Sequence, residues 1–238
     1  MKLTQHGENL WQLTRLGAFN SYFVREADGL TLIDTNLGGT HKDIVQAAQQ
    51  IGLPITRITL THAHGDHVGS LDEIVALTPH AEVVFAQRTE AFLQGDLTLL
   101  SHEPQHKLRG SFVTRSTRAQ RYLAHGDQFG SLQVVAVPGH APDLIAFFDT
   151  RDGTLIGGDA FQTKAGIAVA GVMRWLFPFP ALATWHPPTA LASAQILRDL
   201  NPARLAVGHG PVIENPDAAM AQAIAKAEAV YGGEIQTA

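Results

Sequence analysis

The sequence predicts an α/β protein (α+β in some schemes of classification), and three observations carry that prediction. Short runs rich in β-branched residues alternate with runs whose apolar residues recur at helical spacing. Two of the β-rich runs fold back on themselves at Asp-Gly, a hairpin signal. Several strands end in a polar loop that carries a histidine, and loops at strand ends are where α/β folds commonly build sites.

Taken in order, "NSYFVREADGLTLIDT" (20–35) is two β-rich runs around Asp28 and Gly29. Thr40 and Asp43 are spaced like a capping box, opening a helix that ends near Gly52 and Pro54. "ITRITLTH" (55–62) reads as a strand, and "HVGSLDEIVALTP" (67–79) as a helix stopped by Pro79. "AEVVFA" (81–86) is a further strand, and residues 95–120 are irregular. "SLQVVAVPGH" (131–140) is a strand ending at a histidine, and "LIAFFDTRDGTLIGGDA" (144–160) is the second hairpin, turning at Asp152 and Gly153. Residues 161–186 read as a long insertion of glycines, prolines and aromatics. A helix follows over 189–200 behind Pro187 and Pro188, then a strand over 203–210. The last helix, 215–233, has Asn215 as its cap, Pro216 at its first position and glycines after its end.

Composition narrows the function classes. The chain has 238 residues, enough for one large domain or two small ones, and a coarse echo of hairpin, strand and histidine loop divides it near residue 120. A net charge of −5 without a basic run argues against nucleic acid as a partner. With no cysteine, a disulfide framework, a thiolate zinc site and a cysteine nucleophile are all excluded. The N-terminus "MKLTQHGENLWQL" has no apolar stretch of signal-peptide type, and "AGIAVAGVMRWLF" is broken by Arg174, so a cytoplasmic protein without a membrane partner is expected.

The chemistry gathers in "LTHAHGDHVGS", residues 60–70. His62 and His64 flank Ala63, so in an extended segment both rings point to one side. Neutral imidazole suits a borderline metal such as zinc. Gly65 lets the chain turn, and Asp66 and His67 are expected at a helix start. Three further candidates follow strands: His140 after "VVAVPG", Asp159 after "TLIGG" and His209 after "LAVG". His6, His41, His80, His125 and His186 stand alone without ligand spacing, and Pro104 disfavours a helix that would pair His102 with His106.

On these residues the chain resembles the metallo-β-lactamase superfamily. Residues 62–67 match its HxHxDH motif, while His140, Asp159 and His209 match its third histidine, bridging aspartate and last histidine in order and context. The resemblance implies a single domain over 1–238, a four-layer αββα sandwich of two similar halves (about 1–120 and 121–238) with an insertion at 161–186. It also implies two divalent metal ions, usually zinc, with iron or manganese in some relatives. His62, His64 and His140 would hold one, Asp66, His67 and His209 the other, and Asp159 would bridge them. Many relatives carry a Thr or Ser and then a Gly after the third histidine; here the run is "HAPDL", so a supporting hydroxyl is expected to be missing.

Such a pair of ions can hold a hydroxide that attacks a carbonyl or phosphorus, and Asp66 is the catalytic candidate for moving its proton. The lack of cysteine removes one β-lactamase type, and Asp159 disfavours the all-histidine type. Relatives combining iron with flavin place a Glu where His64 stands, and RNA-processing members need a further domain. What remains is a hydrolase of a small ester, lactone or thioester, lactonase-like or glyoxalase-II-like. A mononuclear iron persulfide dioxygenase and a non-catalytic metal-binding protein are the rival expectations. Phe161, Lys164, Trp175, Phe177 and Phe179 of the insertion, with Tyr22 on an early strand, are the candidate substrate residues. For the aromatics, packing against the fold or a homodimer contact is the competing reading.

Overall fold

All seven strands of the first 124 residues form one sheet whose order follows the chain. The computed structural model describes residues 1–235. β1 (Lys2–His6), β2 (Leu10–Arg15), β3 (Phe19–Glu26) and β4 (Gly29–Ile33) form an antiparallel meander. After α1 (His41–Ile51) the chain returns parallel as β5 (Ile55–Thr59). α2 (Leu71–Leu77) leads to β6 (Glu82–Ala86), α3 (Gln87–Leu93) follows at once, and β7 (Arg121–Leu123) closes a seven-stranded sheet. Helices between β4, β5 and β6 supply the long crossovers that parallel neighbours require. Ile44, Ala47 and Ala48 of α1 are buried at i, i+3 and i+4 spacing, the stripe an amphipathic helix turns inward.

A second sheet of six strands runs in the order β15-β14-β11-β10-β9-β8. Its members are β8 (Gln128–Phe129), β9 (Leu132–Ala136), β10 (Ile145–Asp149), β11 (Thr154–Ile156), β14 (Arg204–Ala206) and β15 (Ile213–Glu214). Only β11 and β14 pair in parallel. Between them lie the ribbon β12 (Phe161–Gln162) with β13 (Ala168–Val169), α4 (Phe179–Ala183) and α5 (Pro187–Asp199). α6 (Asp217–Ile235) comes last. Val135, Leu155, Phe161, Leu191, Leu205 and Met220 belong to one buried apolar cluster that joins this sheet to α5 and α6. The chain divides into two compact units, Met1–Asp96 with Ser111–Ala124, and Leu97–Gly110 with the chain from His125 onward. No helix among the described residues is long and apolar enough to cross a membrane.

Several boundaries differ from expectation for physical reasons. Both hairpins form, but the first turns at Ala27 and Asp28, with Glu26 paired to Gly29. The capping box does not form: the Thr40 hydroxyl donates to Leu37 O at 2.8 Å, and Asp43 accepts from Arg15 Nη1 at 3.2 Å. The helix expected from residue 67 begins at Leu71. Gly69 lies in the turn that precedes it. A Cβ there would lie 2.3 Å from Gly38 N, so the residue serves a close crossing of two chain segments. The ribbon and α4 give the 161–186 segment regular structure of its own, and α6 continues through Gly232 and Gly233.

Candidate metal centre

In the first unit, β5 ends at Thr59 and residues 60–70 run on as a turn. His64 O accepts from His67 N at 2.9 Å and Val68 N at 3.1 Å, and Gly65 N donates to Ser111 O at 2.7 Å. Asp66 and His67 therefore sit in this tight turn, four or more residues ahead of α2, not at a helix start. The turn folds His67 back towards His62, with ring centroids 4.1 Å apart. His62 Nε2 and His64 Nδ1 face each other at 3.1 Å. The donor atoms of His62 and His67, and those of Asp66 and His67, also lie within 4.8 Å of one another. All three imidazoles are buried, whereas the Asp66 side chain is 25% exposed.

One buried carboxylate sets the direction of these rings. Asp34 follows β4 in a left-handed backbone conformation, φ 62°. Its Oδ1 accepts from Thr61 N at 2.7 Å, and its Oδ2 accepts from the Thr61 hydroxyl and from His67 Nδ1, both at 2.8 Å. The Thr61 proton is thus committed to Asp34, so Thr61 Oγ1 accepts from His62 Nδ1 at 3.0 Å. With both Nδ1 atoms donating, His62 and His67 each keep a lone pair on Nε2, the state a ligand needs.

In the second unit, β9 runs out into Val137, Pro138 and Gly139, which deliver His140. Asp159 follows β11, and His209 follows β14. Asp159 Oδ2 lies 3.4 Å from His140 Nε2 and 3.0 Å from His209 Nε2, with all three residues buried. One carboxylate oxygen facing two imidazole nitrogens away from water is an arrangement that a cation satisfies well. The hydroxyl expected to be missing beside His140 is present. It comes from Thr184, at the end of α4, whose Oγ1 is 3.2 Å from His140 Nδ1.

Each unit thus carries a compact donor set of imidazole and carboxylate, the hard-to-borderline chemistry that fits a divalent metal ion. His62, His64, Asp66 and His67 form the first set; His140, Asp159 and His209 form the second. The other expected residues are dispersed. Tyr22 is buried in β3 opposite Gln12 and Ile33. Phe161 is fully buried in the apolar cluster of the second unit. Phe177 is buried, with its ring 5.4 Å from the His209 ring and 5.4 Å from the Phe179 ring. Phe179 and Trp175 are exposed, Trp175 at 86%. Lys164 N donates to His209 O, which ties the backbone of Lys164 to the last histidine.

Among the histidines set aside, His186 caps α5: its Nδ1 accepts from Thr189 N at 3.3 Å, and its ring lies 4.6 Å from that of His106. Asp34, Thr61 and Thr184 were missed altogether. For Asp34 a signal existed, an acid directly after the apolar pair Leu32 and Ile33 that ends a β-rich run, "LTLID".

Comparison with known proteins agrees with this geometry. Residues 15–209, which contain all seven donors, match the family model described as the metallo-beta-lactamase superfamily. The chain is 47% identical over 232 residues to the uncharacterized protein YobT of Bacillus subtilis (strain 168), covering 96% of this chain and 99% of that one. It is 28% identical over 212 residues to the probable metallo-hydrolase YflN of the same organism, covering 80% of each. The crystal structure of DIM-1 metallo-beta-lactamase superposes with a TM-score of 0.70 at 16% identity, over 96% of this chain and 97% of that one. That likeness shows the fold class expected from the sequence, the αββα metallo-β-lactamase sandwich. By its sequence and its fold, the chain belongs to the metallo-β-lactamase superfamily.

Proposed function

We propose that the two donor sets serve one dinuclear metal centre, and that the protein is a hydrolase of a small ester, lactone or thioester. The observation that carries the reading is Asp159 Oδ2, faced by the Nε2 atoms of both His140 and His209. In this reading His62, His64 and His140 would hold one ion, Asp66, His67 and His209 would hold the other, and Asp159 would serve both. Zinc is the proposed occupant; iron and manganese are the alternatives, because histidine–carboxylate sets do not choose sharply among them. Membership of the superfamily and the likeness to a probable metallo-hydrolase support the reaction class. When bound, such ions acidify water and polarise a substrate carbonyl.

The protein's own part is proton handling and orientation. Asp66 is the one acidic donor with its side chain open to solvent, so it accepts the proton of the attacking water and returns it to the leaving group. Asp34 and Thr61 keep the Nε2 lone pairs of His67 and His62 directed away from their Nδ1 hydrogen bonds. No side-chain nucleophile is needed, consistent with a chain that has no cysteine.

The test joins metal quantification to a substrate screen. Purified protein is expected to hold two zinc ions per chain and to turn over activated esters, lactones or thioesters. Asp66→Asn and His140→Ala are expected to remove that turnover. Wild-type turnover in both variants overturns the assignment. One iron per chain with oxygen consumption overturns it in favour of an oxygenase.

A further inference from the structure

The 161–186 segment reaches back to the third histidine with its last residues. Trp185 N donates to His140 O at 2.9 Å, and His186 N donates to Gly139 O at 2.9 Å. Between these backbone ties and α4 stands Thr184, which is 2% exposed. Its hydroxyl donates to Pro180 O at 2.7 Å, four residues back along the helix. Pro180 O lies in the last turn of α4, where carbonyls lack a helical partner, because Thr184 N bonds to Ala181 O instead. A hydroxyl has one proton, and here it is spent on Pro180. The 3.2 Å contact between Thr184 Oγ1 and His140 Nδ1 therefore runs the other way, with the ring donating.

We infer that Thr184 is a positioning residue for the metal centre: by accepting the Nδ1 proton of His140, it holds the ring in the tautomer whose Nε2 lone pair faces Asp159. The inference rests on the reading of His140 as a metal ligand. It makes the 161–186 segment a structural support for that ligand, in the role Asp34 and Thr61 play for His67 and His62. The device differs in kind. In the first unit the final acceptor is a carboxylate; here it is a neutral carbonyl at a helix end, relayed through a hydroxyl.

Two measurements on the full chain test it. In metal-free protein with 15N-labelled histidine, long-range proton–nitrogen correlation should show His140 protonated at Nδ1. A His140 ring whose Nδ1 carries no proton in the wild type overturns the inference, whether or not the variants fold. Zinc affinity, read by competition with a chromophoric chelator, is expected to fall about 10–100-fold in Thr184→Val and to be largely restored in Thr184→Ser. Folded Thr184→Val with wild-type affinity also overturns it. A wild-type chain that binds no zinc, while His140 still carries its proton on Nδ1, would refute the metal reading and leave the Thr184 contact standing.

Discussion

Asp34 Oδ2 lies 2.8 Å from His67 Nδ1, and the same oxygen takes the Thr61 hydroxyl that supports His62. Two of the proposed ligands thus depend on one carboxylate that is not itself a proposed ligand. Asp34→Asn replaces one acceptor oxygen with an NH2 group that cannot accept from His67 or Thr61. Zinc affinity is expected to fall about 10–100-fold, and turnover with it. Metal content after dialysis against a buffered zinc concentration measures this, and an unchanged occupancy would refute the role.

Removing metal should also loosen the fold, because an ion bound only by the folded chain adds stability by mass action. At a free zinc concentration about 100 times the dissociation constant, the gain is about 2.7 kcal/mol. For a chain of this length that corresponds to a rise in thermal midpoint of about 5–10 °C over the chelated protein. Scanning calorimetry with and without chelator reads the difference directly. Equal midpoints would mean that zinc does not bind the folded state.

Asp72 gives a pH dependence apart from the metal centre. Partial burial pushes its carboxyl up, but Ser116 N, Thr117 N and the Thr117 hydroxyl all donate to it and together hold it below the usual carboxylate range. A folded value below the unfolded value of about 3.9 means that this stabilisation is complete above that pH and disappears as the pH falls through the folded value. Asp72→Asn is therefore expected to destabilise at pH 7, and by less as the pH falls below the unfolded value and through the lowered folded one. Urea midpoints of both proteins across that range test it; a gap that widens on acidification contradicts it.

Gly139 holds the His140 loop against α5. Its φ is +140°, and a Cβ would stand 2.3 Å from the backbone N and Cα of Ala190. Because that obstacle is backbone, Gly139→Ala is expected to cost on the order of 3 kcal/mol and to displace His140. Chemical denaturation gives the first quantity and zinc occupancy the second. Full stability in the variant would show that α5 yields easily.

The donors of residues 62–67 were legible because their spacing is local. His140, Asp159 and His209 were legible because each follows a strand. Their supports were not. Thr61 reaches Asp34 across 27 positions and His140 reaches Thr184 across 44, and no local pattern marks either pair. The start of α2 was misread as well. Val68, Leu71 and Ile74 keep helical spacing, but Gly69 lies in the turn before the helix, at the crossing with Gly38 of a distant segment. α3 went unread because it is only seven residues long and begins directly after β6, where no side chain caps it.

The Trp185 indole N–H donates to His106 O, 79 positions earlier in the chain. During synthesis that carbonyl has to wait for its partner. At about 5–20 residues per second, the delay is about 4–16 s. The segment 97–110 is flanked on both sides by chain that belongs to the first unit, so that unit gains its last strand while the intervening loop still lacks its indole donor. Late consolidation of the 97–110 loop is the kinetic consequence of that connectivity.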